Sequence, residues 1–361
     1  MRTVHTILLS CLAVLLLAAC NRDEVELSQT EQPTVITIGA GSRGIGDADG
    51  TAEDYYINSL RVLGYRTSNG TLAFNEMALG LPESTANGHE VEKIIDVLAG
   101  NFTIVFIANE HSDPALSKKL QDLKSYYAND PVIGNISYLK GQSFSHEAFD
   151  KSEDIPMVLI RENVTINADS TLIDPTVGSA PMFKWYVKMI RLGVRVDVRL
   201  SINDTRLADW QASGHANKIY FNNVPDRAYI FPGLNNSESM LPVDSKFITL
   251  DPGIAPGSPP KVGDANMFHY YRLILPESSN PDLIEAKAVT LKLMEGATPR
   301  TGPIKPGTGI GDKFGTNGYT VPRNHYIDAF VRVLETDVTI DAGIMPWQDI
   351  PIYIPEIEGP I

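Results

Sequence analysis

Short apolar runs, each closed by turn-forming residues, recur along the chain, and few of them have helical spacing. Thr34-Val35-Ile36-Thr37-Ile38 alternates β-branched residues and predicts a strand, broken by glycines and acids between Gly39 and Gly50. Residues 57–65, the Ser68-Asn69-Gly70 turn and residues 71–74 predict a hairpin, because Asn-Gly supplies the positive φ angles a tight turn requires. Residues 101–108 form the most apolar run of the first half and are expected at the centre of a sandwich. One helix is expected over 114–127, where Leu116, Leu120 and Leu123 fall at helical spacing. A second series begins at 185–191 and continues at 194–200, whose strict alternation of apolar and charged residues suits a strand with one face on a core. Further strands are expected at 218–224, 267–275, 288–294, 326–334 and 338–340, and residues 295–319 read as a long exposed loop available for function. The 28 glycines and 24 prolines are spread along the length, so the many short strands point to an all-β chain.

The N-terminus changes the picture from a globular chain to an exported one. A single Arg2 precedes an apolar run over residues 7–17, and Leu17-Ala18-Ala19-Cys20 forms a lipobox, so residues 1–19 read as a lipoprotein signal peptide. The run is too short for a permanent span, which needs about 20 apolar residues. The mature chain is expected to start at Cys20 with its sulfur lipidated; Cys11 lies in the removed segment, which leaves no pair for an internal disulfide. Each buried methylene of an acyl chain contributes about 0.8 kcal/mol, so several chains on Cys20 would hold the protein at a membrane. Residues 20–33 are polar and acidic and read as a tether. Removing residues 1–19 takes away Arg2 and no acid, moving the formal charge from −14 to −15. That charge suits solubility and opposes nucleic acid or anionic lipid as partners. The remaining length exceeds what one core usually serves. Two domains are expected, an N-terminal β-sandwich over 34–184 and a C-terminal one over 185–347, followed by a tail at 348–361.

No motif composes a catalytic or cofactor site. Gly39-Ala40-Gly41-Ser42-Arg43-Gly44 satisfies G-x-G-x-x-G, but a dinucleotide site needs a helix starting at the glycines and an acid about 20 residues on. Gly46, Asp47, Asp49 and Gly50 break any helix there, and no acid ends the next strand. Asp47-Ala48-Asp49-Gly50 with Glu53 and Asp54 lacks the closing glutamate of a calcium loop. Gln142-Ser143 after Gly141 lacks the second glycine and the strand-turn-helix frame of a nucleophile elbow. The seven histidines show no zinc-ligand spacing, and His269 and His325 read as strand residues. No cofactor, no metal and no enzymatic activity are expected. Trp185, Trp210 and Trp347 leave open a surface lipoprotein that binds or cleaves glycans, since tryptophans stack on sugar rings, though they serve equally as core residues.

The order of several segments resembles the fimbrillins, lipoprotein-derived subunits of type V pili of Gram-negative anaerobes. These are the lipobox, the acidic tether, the short first strand, Ile57-Asn58-Ser59-Leu60-Arg61-Val62, and the glycine-led run Gly100-Asn101 to Ala108-Asn109. They continue with Ile190-Arg191-Leu192-Gly193-Val194-Arg195-Val196, Arg323-Asn324-His325-Tyr326 and Val338-Thr339-Ile340 leading toward Trp347; Gly193 and Val194 depart from the commoner alanine-bearing form. The resemblance implies two tandem transthyretin-like β-sandwich domains, with a short helix in the first, and a structural role. It implies export to the outer membrane as a lipoprotein, then cleavage by an arginine- or trypsin-type protease that removes the lipid with the first strand. The vacated groove would accept a strand from a neighbouring subunit in an extracellular fimbrium that supports adhesion, built of one subunit or several. Arg43, just past residues 34–38, is where such a cut would open a groove; cutting at Arg22 would leave the strand in place. An anchor or tip role, with the lipid kept or a host or bacterial surface ligand bound, is the variant of the same reading.

The tail fits a donor strand. In an extended chain Ile350, Ile352 and Ile354 share one face, while Pro351 and Pro355 have the opposite parity and remove backbone donors along one edge only. The other reading of the tail is the last strand of its own domain.

Overall fold

The computed structural model describes residues 32–41, 57–79, 90–126, 133–149, 154–202, 219–231, 248–250, 267–276, 289–295, 298–303, 323–333 and 338–346. The first half contains β1 (Pro33–Gly41), β2 (Ser59–Arg66), β3 (Leu72–Leu79), β4 (Glu90–Leu98), β5 (Gly100–Ala108), α1 (Pro114–Tyr126), α2 (Ile136–Lys140), β6 (Ser143–Ser145), β7 (Met157–Ile166), β8 (Leu172–Ile173), β9 (Lys184–Lys188) and β10 (Ile190–Arg191). The second contains β11 (Gly193–Ile202), β12 (Ile219–Val224), β13 (Arg227–Tyr229), β14 (Ile248–Leu250), β15 (Met267–Pro276), β16 (Thr290–Glu295), β17 (Thr298–Pro303), β18 (His325–Val333) and β19 (Val338–Pro346). The chain is all-β, as its pattern of short runs indicates.

Two sheets face each other in the first half. One runs β4-β1-β9; the other runs β10-β7-β5-β2-β3, with β8 paired to β7. Ile36, Ile38, Ile95, Val97 and Trp185 of the first pack against Leu60, Val62, Phe102, Phe106 and Leu159 of the second. The far side of the larger sheet is also covered, by Leu116, Leu120 and Leu123 of α1 and by Leu139 and Phe144. Burial on both faces is why β5, at the middle of that sheet, reads as a continuous apolar run. The helix carries the leucine spacing expected of it and ends at Tyr126.

The second half forms sheets ordered β15-β11-β18-β19 and β14-β12-β16-β17. The two halves are joined by more than the covalent chain, because β13 pairs with β6 and Ala228, Ile230 and Phe231 enter the core around α1.

Several expectations change. The strand set of the first half runs past residue 184, because β9 pairs with β1 and β10 with β7. Residues 295–319 are not loop throughout: Thr298–Pro303 is β17, paired antiparallel with β16, in a stretch whose Gly and Pro residues conceal the strand in the sequence. The hairpin turn uses one positive φ, 70° at Gly70, while the Asn69 side chain accepts from the Thr71 backbone and hydroxyl. Gln142-Ser143 follows α2 and enters β6, the reverse of a strand-turn-helix frame.

Candidate functional site: the first strand and its groove

β1 is an interior strand, and both neighbours hold it. It pairs antiparallel with β4 over its whole length, from Pro33 opposite Leu98 to Gly41 opposite Glu90, and parallel with β9 from Thr37 opposite Lys184 to Gly41 opposite Lys188. The Ala99 N–H donates to the Gln32 carbonyl at 2.9 Å, which fixes the alternation of the antiparallel ladder. Residues 34, 36, 38 and 40 therefore exchange hydrogen bonds with β4, and the intervening residues address β9.

The even residues are also the ones that face inward. Ile36, Ile38 and Ala40 are fully buried, and the Thr34 hydroxyl lies 3.2 Å from that of Ser170. Ser170 belongs to a turn in which the Asp169 carboxylate accepts from the Thr171 hydroxyl and backbone N–H, bonds that hold the Asp169 carboxyl below its ordinary range. Beside Ile38 stands Trp185, only 1% exposed, edge-on to Phe106 with ring centroids 5.2 Å apart. Its Nε1 has no hydrogen-bond partner among the described residues. Trp185 is thus a core residue of the groove wall and cannot stack on a sugar; Trp210 and Trp347 lie outside the described residues.

The outer face of this sheet is apolar for an exposed surface. Val35, Ile94, Leu98 and Tyr186 are all exposed on it, Ile94 by 62%. The Tyr186 ring lies across Gly39, where a Cβ would come within 2.7 Å of two ring carbons, and the Lys184 Nζ sits 4.8 Å from the same ring centroid. Gly39 serves close approach here, not a turn and not a phosphate; the G-x-G-x-x-G pattern begins inside a strand.

The opposing sheet has its own lock. Arg61 donates through Nε and Nη2 to both oxygens of Glu110, each at 2.6 Å, and through Nη1 to Asn75 at 2.7 Å. Asn75 donates on to the Leu120 carbonyl of α1, and the Ser117 hydroxyl donates to Glu110. With both partners buried and each guanidinium nitrogen engaged, this network fixes β2, β3 and α1 to one another. Nearby, Ser59 Oγ lies 3.1 Å from His111 Nδ1, and His111 Nε2 lies 2.9 Å from Asp154. The connectivity is that of a Ser-His-Asp triad, but Ser59 is 3% exposed at the start of β2, so its hydroxyl meets no substrate. These bonds close the end of the sheet.

The residues to which the sequence assigned roles, Cys20, Arg43, Ile350, Ile352 and Ile354, lie outside the described residues. β1 ends at Gly41, two positions before Arg43, and β19 ends at Pro346, four before Ile350. The groove wall β4 and the Tyr186–Gly39 contact escaped sequence reading, while the run expected at 185–191 forms β9 and β10, which join the first-half sheets. A glycine within an alternating strand was the available signal for the contact.

The family model of the major fimbrial subunit protein (FimA) matches residues 34–131, a stretch that begins in β1 and reaches past α1. No curated protein matches the sequence. Among solved structures, the tip fimbrial protein Mfa3 from Porphyromonas gingivalis, with C-terminal truncation, is similar at 16% identity and TM-score 0.55, covering 87% of this chain and all of that one. A candidate cell adhesion protein from Parabacteroides distasonis is similar at 10% identity and TM-score 0.52, covering 90% of this chain and 98% of that one. Another from Bacteroides eggerthii gives 11%, 0.52, 88% and 98% for the same quantities. At these identities the likeness is one of fold. With the family match over residues 34–131 and this fold over most of its length, the chain is similar to the fimbrillins, as the order of its motifs indicated.

Proposed function

We propose that this chain is a structural subunit of a cell-surface fimbrium, exported as an outer-membrane lipoprotein on Cys20 and polymerised by strand exchange. A protease cut after Arg43 releases residues 20–43, including β1, and the C-terminal tail of another copy fills the groove with Ile350, Ile352 and Ile354. The observation that carries this reading is the place of β1. It is an interior strand with a fully buried apolar face, and the proposed cut follows it directly. An alternating apolar segment is what such a groove would accept. The match to the fimbrial subunit family and the likeness to a tip fimbrial protein support the pilus role. We take the two halves as tandem transthyretin-like sandwiches, with other subunits as partners in a homopolymer or mixed fimbrium.

Treating the lipid-free chain with a trypsin-like protease tests this. Ladders on mildly denaturing gels are expected, and Arg43→Ala or truncation after Trp347 should abolish them. Unchanged ladders in either variant would show the mechanism to be wrong. A lipidated Cys20 retained on the assembled protein would instead assign an anchor role.

A further inference from the structure

We infer that the outer face of the β4-β1-β9 sheet is a contact surface for a second copy of the uncut chain. The inference is independent of strand exchange, because it uses the face that β1 completes before any cut. Four of the large apolar side chains exposed among the described residues, Val35, Ile94, Leu98 and Tyr186, lie on this one face, and a fifth, Phe183, directly precedes β9. Register gathers them: Val35 stands opposite Asp96, Thr37 opposite both Ile94 and Lys184, and Gly39 opposite Tyr186. The Tyr186 ring lies down across Gly39 instead of standing off the sheet. Exposed apolar side chains collected on one face of a chain with net charge −14 mark a protein contact. The aliphatic members, Val35, Ile94 and Leu98, offer a sugar no ring to stack on.

The charges at the edges of the face select the partner. β9 turns Lys184 and Lys188 to the same side as Tyr186, since Trp185 and Val187 between them are buried. On the opposite edge β4 exposes Asp96 between Ile94 and Leu98. A face with a basic edge, an acidic residue at the other edge and apolar residues between is complementary to itself, which is what an isologous interface requires. Two copies packed face to face about a two-fold axis parallel to β1 lay each β9 over the β4 of the other copy. That arrangement brings Asp96 of one copy toward Lys184 of the other, whereas an axis across the strands lays β4 over β4 and sets acid beside acid. Aligned sheets about 10 Å apart are the ordinary packing of β-sandwiches. Because Val35 belongs to β1, a cut that releases β1 takes away part of the contact, so the paired form is the uncut one.

Sedimentation equilibrium of the mature, lipid-free chain with Cys20→Ser, kept uncut by Arg43→Ala, reads the association. A reversible dimer is expected. Ile94→Lys should weaken it about tenfold, as loss of a central apolar contact does. Asp96→Lys and Lys184→Glu should each weaken it about threefold, as rim charges do. All three positions are on the surface, so thermal unfolding should be unchanged in each variant. Mixing Asp96→Lys chains with Lys184→Glu chains restores opposite charges at both contacts, and the mixture should pair more tightly than either variant alone. A chain that stays monomeric up to about 1 mM overturns the inference, and so does a dimer indifferent to Ile94→Lys. Tighter pairing of Asp96→Lys with the unsubstituted chain than of that chain with itself overturns the arrangement, because it places β4 over β4. If the chain is monomeric and floats with phosphatidylcholine vesicles until Ile94→Lys releases it, the face belongs to a membrane and the inference fails.

Discussion

β1 and β11 hold the same place in their sheets but are held by the chain in different ways. Each lies between an antiparallel neighbour, β4 or β15, and a parallel one, β9 or β18. β11 pairs with its parallel neighbour from Arg195 to Ile202, and the residues just ahead of it form β10, itself bonded to β7. β1 pairs with its parallel neighbour over Thr37 to Gly41 alone and is the first described strand. Equal burial therefore does not mean equal retention. Val196 and Ile38 are both fully buried, yet removing β11 would require two cuts between described strands, whereas the proposed cut after Arg43 would release β1 by itself.

The largest effects come from poisoning each strand and supplying it again from outside. Ile38→Asp and Val196→Asp each bury an unpaired carboxylate, and each should cost more than about 4 kcal/mol, seen as lost soluble yield and lost sheet signal. A peptide of residues 33–41 should rescue Ile38→Asp once the chain is cut after Arg43, while a peptide of residues 193–202 should not rescue Val196→Asp. Rescue of both, or of neither, would remove the distinction.

Next in size are changes to the frame around β1. Arg61→Met strands Glu110 in the core and should destabilise the first half by about 3–5 kcal/mol in chemical denaturation. Gly39→Val should cost about 1–3 kcal/mol by driving the Tyr186 ring aside, and adding Tyr186→Ala should recover most of it. Failure of that recovery would mean the glycine serves the backbone and not the ring.

The smallest effect belongs to Tyr65, whose hydroxyl is buried without a partner among the described residues and whose ionisation burial pushes up. The unfolded phenol ionises near pH 10 while the folded one keeps its proton, so this contribution is intact below about pH 10 and is lost above it. Tyr65→Phe should leave stability at neutral pH unchanged or raised by about 1 kcal/mol and flatten the alkaline limb of the denaturation curve.

Legibility in the sequence followed how plainly each strand alternates. β1, β5 and β11 were readable because β-branched or strictly alternating residues mark their buried faces. β4 was not, although it lines the whole of β1. Its inward row, Lys93, Ile95 and Val97, includes a lysine that reaches Glu76 at 3.8 Å, and its outward row includes the exposed Ile94 and Leu98. Both rows thus mix polar and apolar residues, and the period of two disappears. β7 was hidden similarly, by the Arg161-Glu162-Asn163 stretch in its middle, where Asn163 has φ 59° and the register with β5 shifts. The groove, which depends on β4 and β9 coming from distant parts of the chain, could not be assembled from one-dimensional pattern; the strand that fills it could.

The most direct test is mass spectrometry of the assembled polymer after protease treatment. Strand exchange requires subunits that begin at Gly44, with residues 20–43 released into solution and the β11 segment intact in every subunit. Polymer whose subunits still carry residues 33–41, bound or covalently attached, would contradict it.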